Sequence, residues 1–174
     1  YFLKKLLDKC NRTGALLIFD EIQTGFGRLG QMFAFQRFGV VPYILLLAKA
    51  LGGGMPLGAF IASREIMSAF VTNPSLGHIT TFGGHPVCCA AGLASLNVIM
   101  DEKLAESANS KCTYFKKHLT HHLISEIRGD GLLLAVKLSD ASYIPYVIAH
   151  APEHGLVLDY FLFCKDAFRI APPL

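Results

Sequence analysis

Two short apolar runs, each closed by one ionisable side chain, constrain this chain more than any other feature. Ala15-Leu16-Leu17-Ile18-Phe19 ends on Asp20, and Tyr43-Ile44-Leu45-Leu46-Leu47-Ala48 ends on Lys49. A run polar on neither face is the pattern of a strand covered on both sides by helices, as in the parallel sheets of α/β proteins. An ionised carboxylate at the end of such a strand is costly to desolvate, so Asp20 is expected to have a cationic partner, as an ion pair, or to cap a helix. Desolvation at Lys49 would favour the neutral amine that attacks carbonyl groups, and the plainer reading of an isolated lysine is a surface side chain lying along apolar neighbours.

Gly25, Gly27 and Gly30 have the spacing of a dinucleotide fingerprint, but four residues, Glu21 to Thr24, separate them from the apolar run. A true fingerprint needs its first glycine in the turn directly after the strand and an acidic residue about 20 positions on. Here that region reads LLLAKA, so the glycines belong to a loop. In AKALGGG the lysine precedes the glycines and no Lys-Ser/Thr follows them, which excludes a P-loop. His118 and His122 could share a helix face at i, i+4. With no general-base carboxylate beside them they read as a solvated face, and no metal site is expected.

With 16 basic and 13 acidic residues there is no basic block to track a phosphate backbone, so nucleic acid is not an expected partner. No apolar run approaches the roughly 20 residues of a membrane helix. The opening YFLKKLLDKCNRTG has no signal-peptide pattern. Five cysteines without a C-x-x-C pair suit reduced thiols, and hence a cytoplasmic setting. A start inside a helical pattern, and a stop at RIAPPL, read as part of a longer protein.

The remaining elements follow from periodicity. A helix is predicted over 1–12, stopped by Thr13-Gly14, a small-residue helix from Pro86 to Met100, and a polar helix over 101–122. IRGDGLLLAVKL gives a glycine-marked turn and a strand, IPYVIAHAPEHG a helix stopped by Gly155, and LVLDYFLF and FRIAPPL further strands. Apolar density drops near Met100, which divides the chain into domains at 1–100 and 101–174.

Taken together, Asp20 and Lys49 meet two demands of pyridoxal phosphate chemistry: a carboxylate that keeps a pyridine nitrogen protonated, and an amine that forms a Schiff base. FDEIQTGFGRLG, LAKALGGGMPLGAF, HITTFGGHP, IRGDGLLLAVKL and FRIAPPL, in this order, closely resemble the class III aminotransferases of the ornithine and acetylornithine type. The resemblance implies an α/β protein of fold-type I, aspartate aminotransferase-like, with 1–100 forming the rear half of the cofactor-binding large domain and 101–174 most of the small domain. It implies that Asp20 binds the pyridine nitrogen, Ile22 packs on the ring, and Gln23 hydrogen-bonds the ring hydroxyl. Lys49 would carry the pyridoxal 5'-phosphate and shuttle the proton. Thr81 would reach the cofactor phosphate of a neighbouring subunit in a homodimer, and Arg169 would hold a substrate carboxylate. Tyr43 and His85 depart from the family's usual Asp and Asn. The implied reaction moves an amino group from ornithine or N-acetylornithine to 2-oxoglutarate. Its rivals are another ω-amine donor (γ-aminobutyrate, putrescine or diaminopelargonate chemistry) and a catalytically dead binding subunit. Lacking the family's phosphate loop, the 174 residues alone are expected neither to bind the cofactor tightly nor to be active.

Overall fold

The computed structural model describes residues 2–71, 73, 75 and 77–174, leaving Tyr1, Thr72, Pro74 and Leu76 aside. The chain forms two compact units, Tyr1–Phe26 with Gln31–Lys103, and Gly27–Gly30 with Leu104–Leu174.

In the first unit, α1 (Phe2–Thr13) ends where Gly14 takes a φ of 70°, a conformation that costs a side-chain-bearing residue. Its Leu3, Leu6, Leu7 and Cys10 pack against Leu17, Phe19 and Val40. β1 (Ile18–Asp20) runs parallel to β2 (Ile44–Leu47), and β3 (Ala59–Ala62) pairs antiparallel with β2 on its other side. Between them lies the short α2 (Ala34–Phe38), and α3 (Arg64–Ser68) and α4 (Pro86–Asp101) follow. Leu16 and Ile18 are each 50% exposed, so β1 is covered on one face, not on both as its composition predicts. The face packed by α1 is closed; the face carrying Ile18 and Asp20 has no covering helix among the described residues. The same holds for α4. Cys88, Gly92 and Ile99 are buried, whereas Val87, Leu93, Val98 and Met100 remain exposed on a helix whose composition predicts close packing.

In the second unit, α5 (Leu104–His118) is followed by an antiparallel sheet in the order β4 (Ile124–Asp130), β5 (Leu133–Leu138), β7 (Cys164–Ile170), β6 (Asp159–Phe161). β4 and β5 form a hairpin through Gly131, at φ 52°. The strand before that turn is not foreseen in the sequence reading. α6 (Tyr143–His150) continues into a 3-10 turn, Ala151–His154, and stops at Gly155. Its Ile144, Val147 and Ile148 close the sheet's apolar face with Val136, Leu138 and Phe168. α5 ends at His118, so His122 lies beyond the helix and cannot share its face; no group of potential metal ligands forms among the described residues. No described helix is long and apolar enough to cross a membrane.

Candidate active site

β1 and β2 pair in register, Asp20 opposite Leu46, and the Glu21 N–H donates to the Leu46 carbonyl at 3.0 Å. The segment Asp20 to Gln23 and the segment beginning at Lys49 therefore leave the sheet at the same, C-terminal, end of two adjacent parallel strands. That is where α/β proteins bind ligands, because the loops there diverge and leave a crevice.

Asp20 is exposed, and among the described residues no cation pairs with it. The expected ion pair is corrected to a local bond: its carboxylate accepts the Ile22 N–H at 3.0 Å, which turns the chain out of the strand. One oxygen is thus held by the backbone. Ile22 is half-buried and Gln23 exposed.

The neighbouring Glu21 is the carboxylate that the structure buries, at 2% exposure. It accepts from Ala34 N at 2.6 Å and Phe35 N at 2.8 Å, while the Gln36 side chain accepts from Phe33 N at 2.9 Å. Three orphan donors at the start of α2 are satisfied in this way, and a carboxylate there also faces the positive end of the helix dipole. Asp20 and Glu21, adjacent in sequence, point to opposite faces of an extended segment, which is why one is buried and the other free.

Lys49 opens a 3-10 turn, Lys49–Gly52, and sits at φ 51°, a left-handed backbone that non-glycine residues seldom adopt. Such a conformation persists only where neighbours over-determine it. Here α4 does so. A Cβ on Gly92 would lie 2.6 Å from the Leu51 carbonyl, and the Ser95 hydroxyl donates to the Ala50 carbonyl at 3.3 Å. The Lys49 side chain is exposed, so the burial argued from its strand does not operate among these residues.

Thr81 lies in the loop before α4. Residues 56–58 and 80–84 line an open cavity of about 440 Å³ there. Gly83 fits because a side chain would collide with the Thr80 hydroxyl. The structure thus brings Asp20, Ile22, Gln23 and Lys49 to one end of one strand pair and puts Thr81 in an open cavity of the same unit that none of them lines.

Arg169 belongs to the second unit. It stands on β7 directly opposite Asp159 of β6, and the two form an ion pair. Arg28, whose guanidinium donates to the carbonyls of Leu132 at 3.1 Å and Pro172 at 2.5 Å, fastens the glycine-rich loop to this unit. Burial, and then the charge of Arg169, lower its pKa below the ordinary arginine value. The glycine pattern that mimics a nucleotide fingerprint is a loop whose Leu132–Arg28 backbone bond, 2.9 Å, docks it beside the β4–β5 turn.

A carboxylate, a primary amide and an amine at one strand-pair end, with a hydroxyl among glycines in another loop of the same unit, are a set of groups that could hold a cofactor bearing a cationic ring and a phosphate. The family model for class-III aminotransferases matches residues 1–174. An acetylornithine aminotransferase of Clostridium acetobutylicum is 41% identical over 99% of the chain and 44% of its own length. Among solved structures, acetylornithine aminotransferase from Elizabethkingia anophelis superposes with a TM-score of 0.88 at 37% identity, covering 99% of this chain and 44% of that one. An ornithine aminotransferase from Toxoplasma gondii, with PLP at partial occupancy in its active site, gives 0.86 at 35% identity, covering 99% and 41%. This chain belongs to the class-III aminotransferases, with the fold-type I α/β architecture of that family. It spans less than half the length of these relatives.

Proposed function

We propose that this chain is part of a PLP-dependent enzyme that transfers the amino group of ornithine or N-acetylornithine to 2-oxoglutarate. The observation that carries the reading is the exit of Asp20 and Lys49 from the same end of adjacent parallel strands, with Lys49 held in a left-handed turn by α4. Pyridoxal phosphate, when bound, would supply a cationic ring that accepts the electron pair left when a proton departs from the substrate carbon bearing the transferred amine, here the terminal amine of the donor.

In this reading Asp20 would hold the ring nitrogen and keep it protonated, its Ile22 bond fixing the carboxylate. Ile22 would give the ring an apolar face, and Gln23 would donate to its hydroxyl. The Lys49 amine would hold the cofactor and would move the proton to and from the amine-bearing carbon of the substrate, a task suited to a flexible stem on a fixed turn. Thr81, beside glycines that let a phosphate approach the backbone, serves the second subunit of a homodimer. Arg169 holds a substrate carboxylate by its planar fork. The first unit is then the rear half of the large domain and the second most of the small domain, in a cytoplasmic enzyme.

Borohydride reduction of the complete protein, followed by digestion, tests this. Pyridoxyl mass is expected on the peptide containing Lys49, and its appearance on any other peptide would overturn the assignment.

A further inference from the structure

Glu21 is the one polar or charged side chain buried among the described residues, and it stands between two residues of the candidate site, Asp20 and Ile22. Each of its polar groups is taken by a different segment. Its N–H donates to the Leu46 carbonyl of β2, and its own carbonyl accepts the Gly25 N–H, each at 3.0 Å. Its two carboxylate oxygens accept one N–H each, from Ala34 at 2.6 Å and from Phe35 at 2.8 Å. The loop also presses close, since a Cβ on Gly25 would lie 2.9 Å from the Glu21 carbonyl oxygen. Phe33, which leads into α2, meets the Phe26 ring edge-on with centres 5.5 Å apart and stacks on Phe35.

The hydrogen bond that holds Asp20 closes across Glu21, because the Asp20 carboxylate accepts the N–H of Ile22, one residue beyond it. The direction of that carboxylate therefore follows the backbone at Glu21, and β2, the loop and α2 fix that backbone. Burying a carboxylate is costly unless both oxygens are hydrogen-bonded, so Glu21 suits a two-pronged tie better than it suits the filling of space. We propose that Glu21 is a positioning residue: by tying the segment 20–23 to the start of α2, it holds Asp20 in line with the cofactor's ring nitrogen. It rests on Asp20 being the holder of that nitrogen. Glu21 is buried and touches no reacting atom; it acts through its neighbour. A displacement of about 1 Å in a group that must meet a reacting partner can cost about a hundredfold in rate, so a loosened tie is felt at the ring while the protein is still folded.

The test compares the complete holoenzyme with its Glu21→Gln, Asp20→Asn and doubly substituted forms, at a temperature where far-ultraviolet circular dichroism shows each to be folded. Glu21→Gln keeps the shape and one acceptor oxygen but turns an amide toward the second N–H. Its single-turnover rate should fall about tenfold, with the KM for the amino donor unchanged. Its affinity for pyridoxal phosphate, measured by equilibrium dialysis of the apoprotein, should fall by about threefold to tenfold, and the visible circular-dichroism band of the bound cofactor should weaken. Asp20→Asn removes the group that Glu21 positions, so the double form should be slower than Asp20→Asn by no more than about twofold. Losses that multiply would show Glu21 acting on its own and overturn the proposal. A merely structural Glu21 would lower the melting temperature and leave rate, affinity and visible band of the folded protein at wild type, and that result overturns it too. An Asp20→Asn protein as fast as wild type instead removes the role of Asp20 itself, and the positioning with it. Should Glu21→Gln fail to fold, Gly25→Ala takes its place: its Cβ pushes on the Glu21 carbonyl and leaves the carboxylate intact, and the same losses, again not multiplying with Asp20→Asn, are expected.

Discussion

Asp20 and Glu21 carry the same functional group on neighbouring residues, yet one is exposed and the other buried against the first N–H groups of α2. Nothing in the string IFDEIQ assigns those roles, because alternation along an extended segment sends adjacent side chains to opposite faces without naming either face. Glu21→Ala would strip two backbone donors, Ala34 N and Phe35 N, of their acceptor. Leaving buried donors unsatisfied costs about 2–4 kcal/mol here, and a urea titration followed by circular dichroism should show that loss. Glu21→Gln, which keeps one acceptor oxygen, should lose clearly less. Equal losses would mean that charge, and not hydrogen bonding, secures the helix start.

β5 and β7 are joined by Lys137 and Asp166, whose charged atoms lie 2.7 Å apart. The Lys137 hydrogen bond, followed by the Cys164 thiol, holds the Asp166 carboxyl at about 2 against its ordinary 3.8. A carboxyl depressed in the folded state stabilises above its unfolded pKa, and that contribution disappears as pH falls through the folded value. The melting-temperature difference between wild type and Asp166→Asn should therefore shrink as pH drops from 3.8 toward about 2. A constant difference across that interval would remove the ion pair as its cause. At the alkaline end the sign reverses: Lys137 is raised above 10.5, so its contribution is whole below that value and fades above it. These strands also show how far periodicity reaches. β5 is legible as an apolar run and β7 only at its end, 168–170, while β4, ISEIRGD, is not: its alternation is broken by a register shift between Ile124 and Glu126. α2, α3 and β3 are too short for a period to emerge.

The subunit arrangement proposed through Thr81 can be tested by mixing two inactive proteins, one carrying Lys49→Ala and the other Thr81→Val. If Thr81 serves the partner's site, a heterodimer contains one intact site and one doubly damaged site. Activity should recover to about half of wild type, since independent sites simply add. No recovery would confine Thr81 to its own subunit. The order of motifs alone carries the family and the strand–Asp and strand–Lys junctions, because backbone geometry, glycine freedom and apolar runs are local properties of the chain. Folding decides what depends on neighbours distant in sequence: that Lys49 takes its left-handed turn against Gly92 and Ser95, that Gly27–Gly30 joins the second unit through Arg28, and that Arg169 meets Asp159. Burial and charge pairing are relations between segments, and the sequence lists the segments without their distances.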